Sequence, residues 1–150
     1  MFRCLIFSVL LLSAGCGGDS GDPTKVTYAK ELGVDLNAME RLESGLYLQD
    51  LVVGTGDEAT LGRQITVDYT GWLPNGKVFD SSKPEDRNPF MFTLGQGRVI
   101  EGWEQGVPGM KVGGVRKLVI PADLAYGNQS RGEIPANSVL IFDVELLSVP

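Results

Sequence analysis

Alternating hydrophobic and polar residues mark several short stretches of this chain. In residues 65–72, Ile65, Val67 and Tyr69 fall on one face of an extended segment, and the polar residues between them fall on the other. Residues 139–147 repeat this alternation, with Asp143 on the polar face. The pattern predicts two half-buried β-strands. The apolar face of the second strand comprises Leu140, Phe142, Val144 and Leu146.

Further strands and turns are expected around these two. Residues 46–53, 90–94 and 115–120 have strand-like patterns. Pro74-Asn75-Gly76 favours a tight turn, because Asn-Gly readily adopts the positive φ that such turns need. Residues 25–42 show no firm period and predict only a short helix or turn.

One segment has helical spacing instead. In residues 98–107, Val99, Ile100, Trp103 and Val107 recur at helical intervals, and glycine and proline follow at once. One short helix and five or more strands, with hairpin-like connections and one polar face each, predict an α+β fold, an antiparallel sheet packed on a helix.

Composition excludes several classes of function. The chain has 150 residues, a net charge of −6 and no histidine. A nucleic-acid-binding face would be basic, and nucleophile systems or zinc sites built on imidazole need histidine. The two cysteines, Cys4 and Cys16, offer no metal cluster and no disulfide framework. We therefore expect no metal and no cofactor.

The N-terminus has the layout of a secretory signal. Arg3 precedes an apolar run over residues 4–12 that is too short to span a membrane. Leu12-Ser13-Ala14-Gly15-Cys16 resembles the cleavage box of bacterial lipoproteins, although leucine is commoner at Ser13. That resemblance implies acylation of Cys16 and a lipid anchor, and an ordinary signal peptide is the alternative.

These features predict four segments and a location. They are a signal peptide (1–15), a lipidated N-terminus with a flexible tether (16–24), an N-terminal extension (25–45) and a globular domain (46–150). The predicted location is the bacterial cell envelope. Gly17 stands where aspartate usually retains lipoproteins at the inner membrane, so the outer membrane, facing the periplasm, is favoured.

Aromatic residues gather in residues 67–92. Five aromatic residues accompany Asp80 and Arg87 there, without histidine or cysteine, which favours an apolar pocket over a proton-transfer site. Taken singly, each aromatic residue is more often core, Asp80 a turn residue and Arg87 a solvated charge. Glu101 and Glu104 are likewise expected on a solvated helix face rather than as an acid pair.

Several separated motifs occur in one order: VDYTGWL, GKVFDSS, RNPFMFTLGQGRVIEGWEQGVPGMKVGG, LVIPADLAYG and IPANSVLIFDVELLSV. In this order they closely resemble the FKBP family of peptidyl-prolyl cis-trans isomerases, from about residue 46 to residue 150. The resemblance implies a strongly curved antiparallel sheet wrapped around a short helix, and catalysis of X-Pro bond rotation without a cofactor. It implies proline-containing peptides and folding proteins as partners, and macrolides as inhibitors.

The resemblance also implies a site between the helix and the concave face of the sheet. Trp103 would form its floor, and the backbone N–H of Ile100 and the hydroxyl of Tyr126 would bind carbonyl groups of the ligand. Asp80 would pair with Arg87 and Tyr69. The catalytic residues would be Tyr69, Asp80, Trp103, Tyr126 and Phe142, with substrate-binding residues Phe79, Arg87, Phe90, Val99, Ile100 and Ile134.

Two residues depart from the family pattern in the loop formed by residues 127–135. Ser130 replaces a common histidine, and Glu133 replaces a common apolar residue. These departures bear on substrate preference and macrolide affinity. They also support the alternative function, a proline-peptide-binding or chaperone module with little catalysis.

Overall fold

The computed structural model describes residues 21–83 and 87–150. The signal segment, Cys16 and the first part of the tether lie outside the described residues. Within the described chain, no helix is long and apolar enough to cross a membrane.

A single antiparallel sheet dominates the described part of the chain. Its strand order is β1-β2-β6-β7-β3-β4, with β5 paired to the first half of β3, beside β4. One short α-helix, α1 (Glu101–Gly106), accompanies the sheet. This confirms the predicted α+β fold. The strands are β1 (Glu40–Arg41), β2 (Tyr47–Val52), β3 (Gln64–Trp72), β4 (Val78–Ser81), β5 (Phe90–Thr93), β6 (Val115–Ile120) and β7 (Leu140–Ser148).

The main core lies between one face of the sheet and α1. Its strand residues follow the predicted alternation, because the side chains of successive residues point to opposite faces. Trp103 and Val107 pack onto it from the helix segment. Fully buried members from the strands are Ile65, Val67, Leu118, Ile120, Leu140, Val144 and Leu146.

A second core covers the other face of the sheet. Leu32 and Met39 of the N-terminal extension are buried there against Val119, Val139 and Ile141. The expectation of one polar face for each strand is therefore wrong for β6, in which even Lys117 is buried. Three 3₁₀ turns precede β1: Pro23–Lys25, at the end of the predicted tether, and Lys30–Leu32 and Leu36–Ala38, in the extension.

The helix is shorter than its hydrophobic spacing predicted. Ile100 lies at its N-cap with an extended backbone (φ −59°, ψ 151°), so Val99 and Ile100 precede α1. Gly102 and Gly106 face β6: a Cβ atom on Gly102 would lie 2.5 Å from Cγ2 of Ile120. These glycines, four residues apart, allow the helix to approach the sheet closely.

The C-terminal end of α1 is held by a buried arginine. Arg116 of β6 donates hydrogen bonds to the carbonyl oxygens of Gly106 (2.8 Å) and Pro108 (3.1 Å). Its Nε donates to Oδ1 of Asp50 over 2.7 Å. Carbonyls at a helix end lack intrahelical partners, so Arg116 both satisfies them and fixes the helix on the sheet.

Candidate active site

A cavity of about 460 Å³ opens between the sheet, the helix segment and the loop after β6. Strands β3, β4, β5 and β7 supply aromatic walls, and α1 supplies Trp103. The lining residues are Tyr69, Phe79, Asp80, Phe90, Gly97, Arg98, Val99, Ile100, Trp103, Ala125, Tyr126, Arg131 and Phe142.

Trp103 is the centre of the aromatic cluster. Its ring packs edge-on against Tyr69, at 5.1 Å between centroids, and against Phe142, at 5.3 Å. Phe92 and Phe90 approach it at 5.8 and 6.3 Å. Edge-to-face pairs of this kind fix ring orientation as well as burying apolar area. The indole is therefore a rigid surface, only 4% exposed.

Gly71 allows two of the wall residues to meet. A Cβ atom at this position of β3 would lie 2.6 Å from Cζ of Phe79 and 2.7 Å from Cε1 of Phe142. These two rings pack edge-on at 5.5 Å. Glycine is thus required for close packing of this wall, although its backbone is in an ordinary strand conformation.

Polar groups are concentrated on one side of the cavity. The hydroxyl of Tyr69 donates to Oδ2 of Asp80 over 2.6 Å, and Nη1 of Arg87 donates to Oδ1 over 2.9 Å. The backbone N–H of Ser81 also donates to Oδ1. Burial raises the pKa of Tyr69, and the hydrogen bond to Asp80 raises it further. Tyr69 is therefore a neutral phenol that acts as a donor.

Several donors in the cavity lining have no partner within the described chain. They include the backbone N–H of Ile100, the hydroxyl of Tyr126 and the buried indole N–H of Trp103. Unpartnered donors beside apolar rings are suited to binding carbonyl oxygens in a site from which water is excluded.

The structure brings most of the predicted site residues around this one cavity. Arg87 and Ile134 are the exceptions among the described residues: Arg87 contacts the site through Asp80, and Ile134 is buried in the main core. The sequence did not predict that Arg98 and Arg131 line the cavity. The only indication was that each lies close in the chain to predicted site residues. Ser130 and Glu133 are exposed in the loop.

The helix carboxylates differ from each other. Glu101 is exposed as expected, but Glu104 is half-buried and accepts a hydrogen bond from the backbone N–H of Gly95. The expectation that both carboxylates lie on a solvated helix face is therefore wrong for Glu104. Its hydrogen bond connects the loop after β5 to α1. Across residues 21–83 and 87–150, no cluster of three or more histidine, cysteine or acidic residues could hold a metal ion.

A second cavity, of about 610 Å³, lies elsewhere and has a more polar lining. It is formed by residues 21–24, the N-terminal extension and the turns near Pro121 and Asn137, and it contains none of the predicted site residues. Size alone therefore does not identify the site. The concentration of aromatic rings and unpartnered donors favours the smaller cavity.

Comparisons with known proteins establish the family. The family of FKBP-type peptidyl-prolyl cis-trans isomerases matches residues 56–147. The FK506-binding protein of Neisseria meningitidis serogroup B is 54% identical over 106 residues, covering 70% of this chain and 96% of the relative. A peptidyl-prolyl cis-trans isomerase of Saccharomyces cerevisiae is 46% identical over 127 residues, covering 85% of this chain, which spans only 30% of that longer protein.

Solved structures agree. The crystal structure of AtFKBP13 has a TM-score of 0.69 at 44% identity, covering 75% of this chain and 98% of the other. FkpA from Escherichia coli also has a TM-score of 0.69, at 38% identity, covering 80% of this chain and 55% of the other. The chain therefore belongs to the FKBP-type family, and it is a peptidyl-prolyl cis-trans isomerase. This confirms the family and the activity that the motif order indicated.

Proposed function

We propose that this isomerase acts on X-Pro bonds of proteins in the bacterial cell envelope, and that catalysis is non-covalent and occurs in the aromatic cavity. The observation that carries the proposal is the combination of a rigid indole floor with two unpartnered donors, Ile100 N–H and the Tyr126 hydroxyl. This arrangement favours binding of a proline ring together with its adjoining carbonyl groups.

The chemistry to be accelerated is rotation about a peptide bond. Its barrier of about 18–20 kcal/mol comes from amide resonance, which is lost in the twisted transition state. An apolar cavity removes water from the amide and so disfavours the more polar planar form. Each 1.36 kcal/mol of preferential binding to the twisted form gives about a tenfold increase in rate.

The residues have distinct proposed roles. Trp103 supports the proline ring, Phe79, Phe90 and Phe142 exclude water, and the two donors hold carbonyl oxygens in the twisted geometry. Asp80 positions the phenol of Tyr69 on the polar side of the cavity, while Arg87 balances the charge of Asp80. Val99 and Ile134 complete the substrate-binding set, with Ile134 acting through the loop that it anchors.

The activity test is cis-to-trans isomerisation of short X-Pro peptides, using the chain from Gly17 onward. We expect kcat/KM to fall in Asp80→Leu and Phe142→Tyr, with circular dichroism unchanged. Full activity in both folded variants would contradict the cavity assignment. Peptide binding by the wild type without turnover would favour the alternative of a proline-binding or chaperone module.

The envelope location is proposed from the N-terminal residues. The Leu12–Cys16 box supports acylation of Cys16 after removal of residues 1–15, and Gly17 favours the outer membrane. Metabolic labelling with a fatty acid, compared between wild type and Cys16→Ser, tests the anchor. Absence of label in the wild type would leave an ordinary signal peptide.

Macrolide binding is proposed from the relatives named FK506-binding protein. A ligand that covers Trp103 changes its fluorescence, and the second tryptophan, Trp72, packs against the core on the opposite sheet face. Titrating FK506 into Trp72→Phe would therefore report on the cavity. No fluorescence change and no inhibition would contradict macrolide binding.

A further inference from the structure

Two arginines line the cavity beside its aromatic walls. Arg98 and Arg131 are both exposed, and neither forms an ion pair with a carboxylate in residues 21–83 or 87–150. Asp80 is the one carboxylate among the described lining residues, and Arg87 already pairs with it at 2.9 Å. The described lining therefore carries two cations that no neighbouring carboxylate neutralises.

The nearest acidic residue in the loop does not neutralise them either. Glu133 follows Arg131 by two positions, but its carboxylate lies 3.9 Å from Nζ of Lys77. This exposed pair is outside the cavity lining. The carboxylate of Glu133 therefore pairs with Lys77 and not with Arg131.

Arg131 is held in place from two sides. Its backbone exchanges two 2.9 Å hydrogen bonds with Ile134, whose side chain is buried in the main core. Its guanidinium carbon lies 5.1 Å from the centroid of the Tyr126 ring, within cation–π range. The cation therefore lies next to one of the two proposed carbonyl-binding donors. Arg98 precedes the other, Ile100, by two residues.

Guanidinium groups bind carboxylates with paired, directional hydrogen bonds. The chain as a whole has a charge of −6, so an acidic substrate would gain attraction only from a local positive field such as this one. Resting on the isomerase function proposed above, we propose that Arg98 and Arg131 make the site selective for proline segments with an aspartate or glutamate adjacent to the proline.

The test uses the full chain and two pairs of peptides. One pair has glutamate or glutamine before proline, and the other has glutamate or glutamine after it. An exposed ion pair contributes modestly, so we expect the glutamate peptide of at least one pair to have a kcat/KM about two- to fivefold higher at low salt. That ratio should decline with ionic strength, because salt screens exposed charges.

Variants then assign the preference to the two arginines. Arg98→Gln and Arg131→Gln should each reduce the glutamate-to-glutamine ratio, and the double variant should bring it to about one. Lys30→Gln is the matched control: it removes an exposed cation outside the cavity lining and should leave the ratio unchanged.

Each result has a separate meaning. A wild-type ratio of one or below in both pairs, with the glutamine peptides still turned over, would overturn the acidic preference and leave the isomerase function intact. A preference that survives in the double variant would overturn the role of these arginines. Failure of folded wild type to turn over any peptide would instead overturn the proposed function.

Discussion

The hydroxyl of Tyr69 donates a hydrogen bond to Oδ2 of Asp80 over 2.6 Å, and this contact links β3 to β4 at the polar side of the cavity. Arg87 and the Ser81 backbone occupy the other carboxylate oxygen. Tyr69 and Asp80 therefore hold each other in place. The Tyr69 ring, fixed in this way, packs edge-on against Trp103.

Removing this hydroxyl tests the link. A hydrogen bond to a charged group contributes about 1.5–3 kcal/mol, and we expect the lower part of that range because the Asp80 side chain is 39% exposed. Tyr69→Phe should lower the free energy of unfolding by about that amount and, because the ring loses its fixed place on the cavity wall, should also lower kcat/KM with the fold retained. Tyr47→Phe, in the second core, is the control, and an equal loss there would contradict a specific role for Tyr69.

The raised pKa of Tyr69 has a defined consequence at high pH. The pKa of Tyr69 in the folded protein lies above its unfolded value of about 10, so the neutral phenol stabilises the fold. This contribution is complete below about pH 10 and is lost as pH rises through the folded pKa. Tyrosinate absorbance, followed while circular dichroism confirms the fold, should show a late-titrating phase that is smaller by one phenol in Tyr69→Phe. An identical late phase in the variant would contradict this.

Gly71→Ala should disturb the cavity wall. The added methyl group must displace both Phe79 and Phe142, and overpacking of this kind costs about 1–3 kcal/mol of unfolding free energy. We expect a lower kcat/KM and a lower midpoint in urea unfolding. Adding Phe79→Leu should recover part of the stability. No recovery would mean that contact with Phe142, rather than with Phe79, causes the loss of stability.

Leu32→Ala should separate stability from catalysis. Leu32 is 4% exposed in the second core, on the sheet face opposite the cavity. Deleting a buried leucine side chain costs about 2–5 kcal/mol. Denaturant unfolding should register this loss, while kcat/KM measured well below the unfolding transition stays unchanged. A proportional loss of activity would mean that the N-terminal extension acts on the site.

Much of the fold was predictable from local patterns. Alternation along β3 and β7 identified both central strands and their buried faces, because each packs one face on the main core. Residues 115–120 gave less information. Their buried Arg116 and Lys117 depend on pairing with Asp50 and Asp143, which are distant in sequence.

The site residues that belong to sequence motifs were predictable. Those whose place depends on loop geometry were not. The aromatic set followed from the family resemblance, whereas the place of Arg131 depends on its pairing with Ile134 and its contact with Tyr126. The start of α1 was misplaced for a related reason. Val99 and Ile100 have apolar side chains at helical spacing, but they line the cavity from an extended segment.

The shortness of α1 has a further consequence. Isolated helices below about 12–15 residues are marginal in water, and α1 has six, so tertiary contacts must supply its stability. Gly102, Gly106 and Arg116 provide those contacts only when β6 is already in the sheet. Trp103 can therefore reach its place only in fully folded molecules. In a population in which only some molecules are folded, each molecule should be either fully active or inactive. The measured turnover should therefore be proportional to the fraction of native molecules.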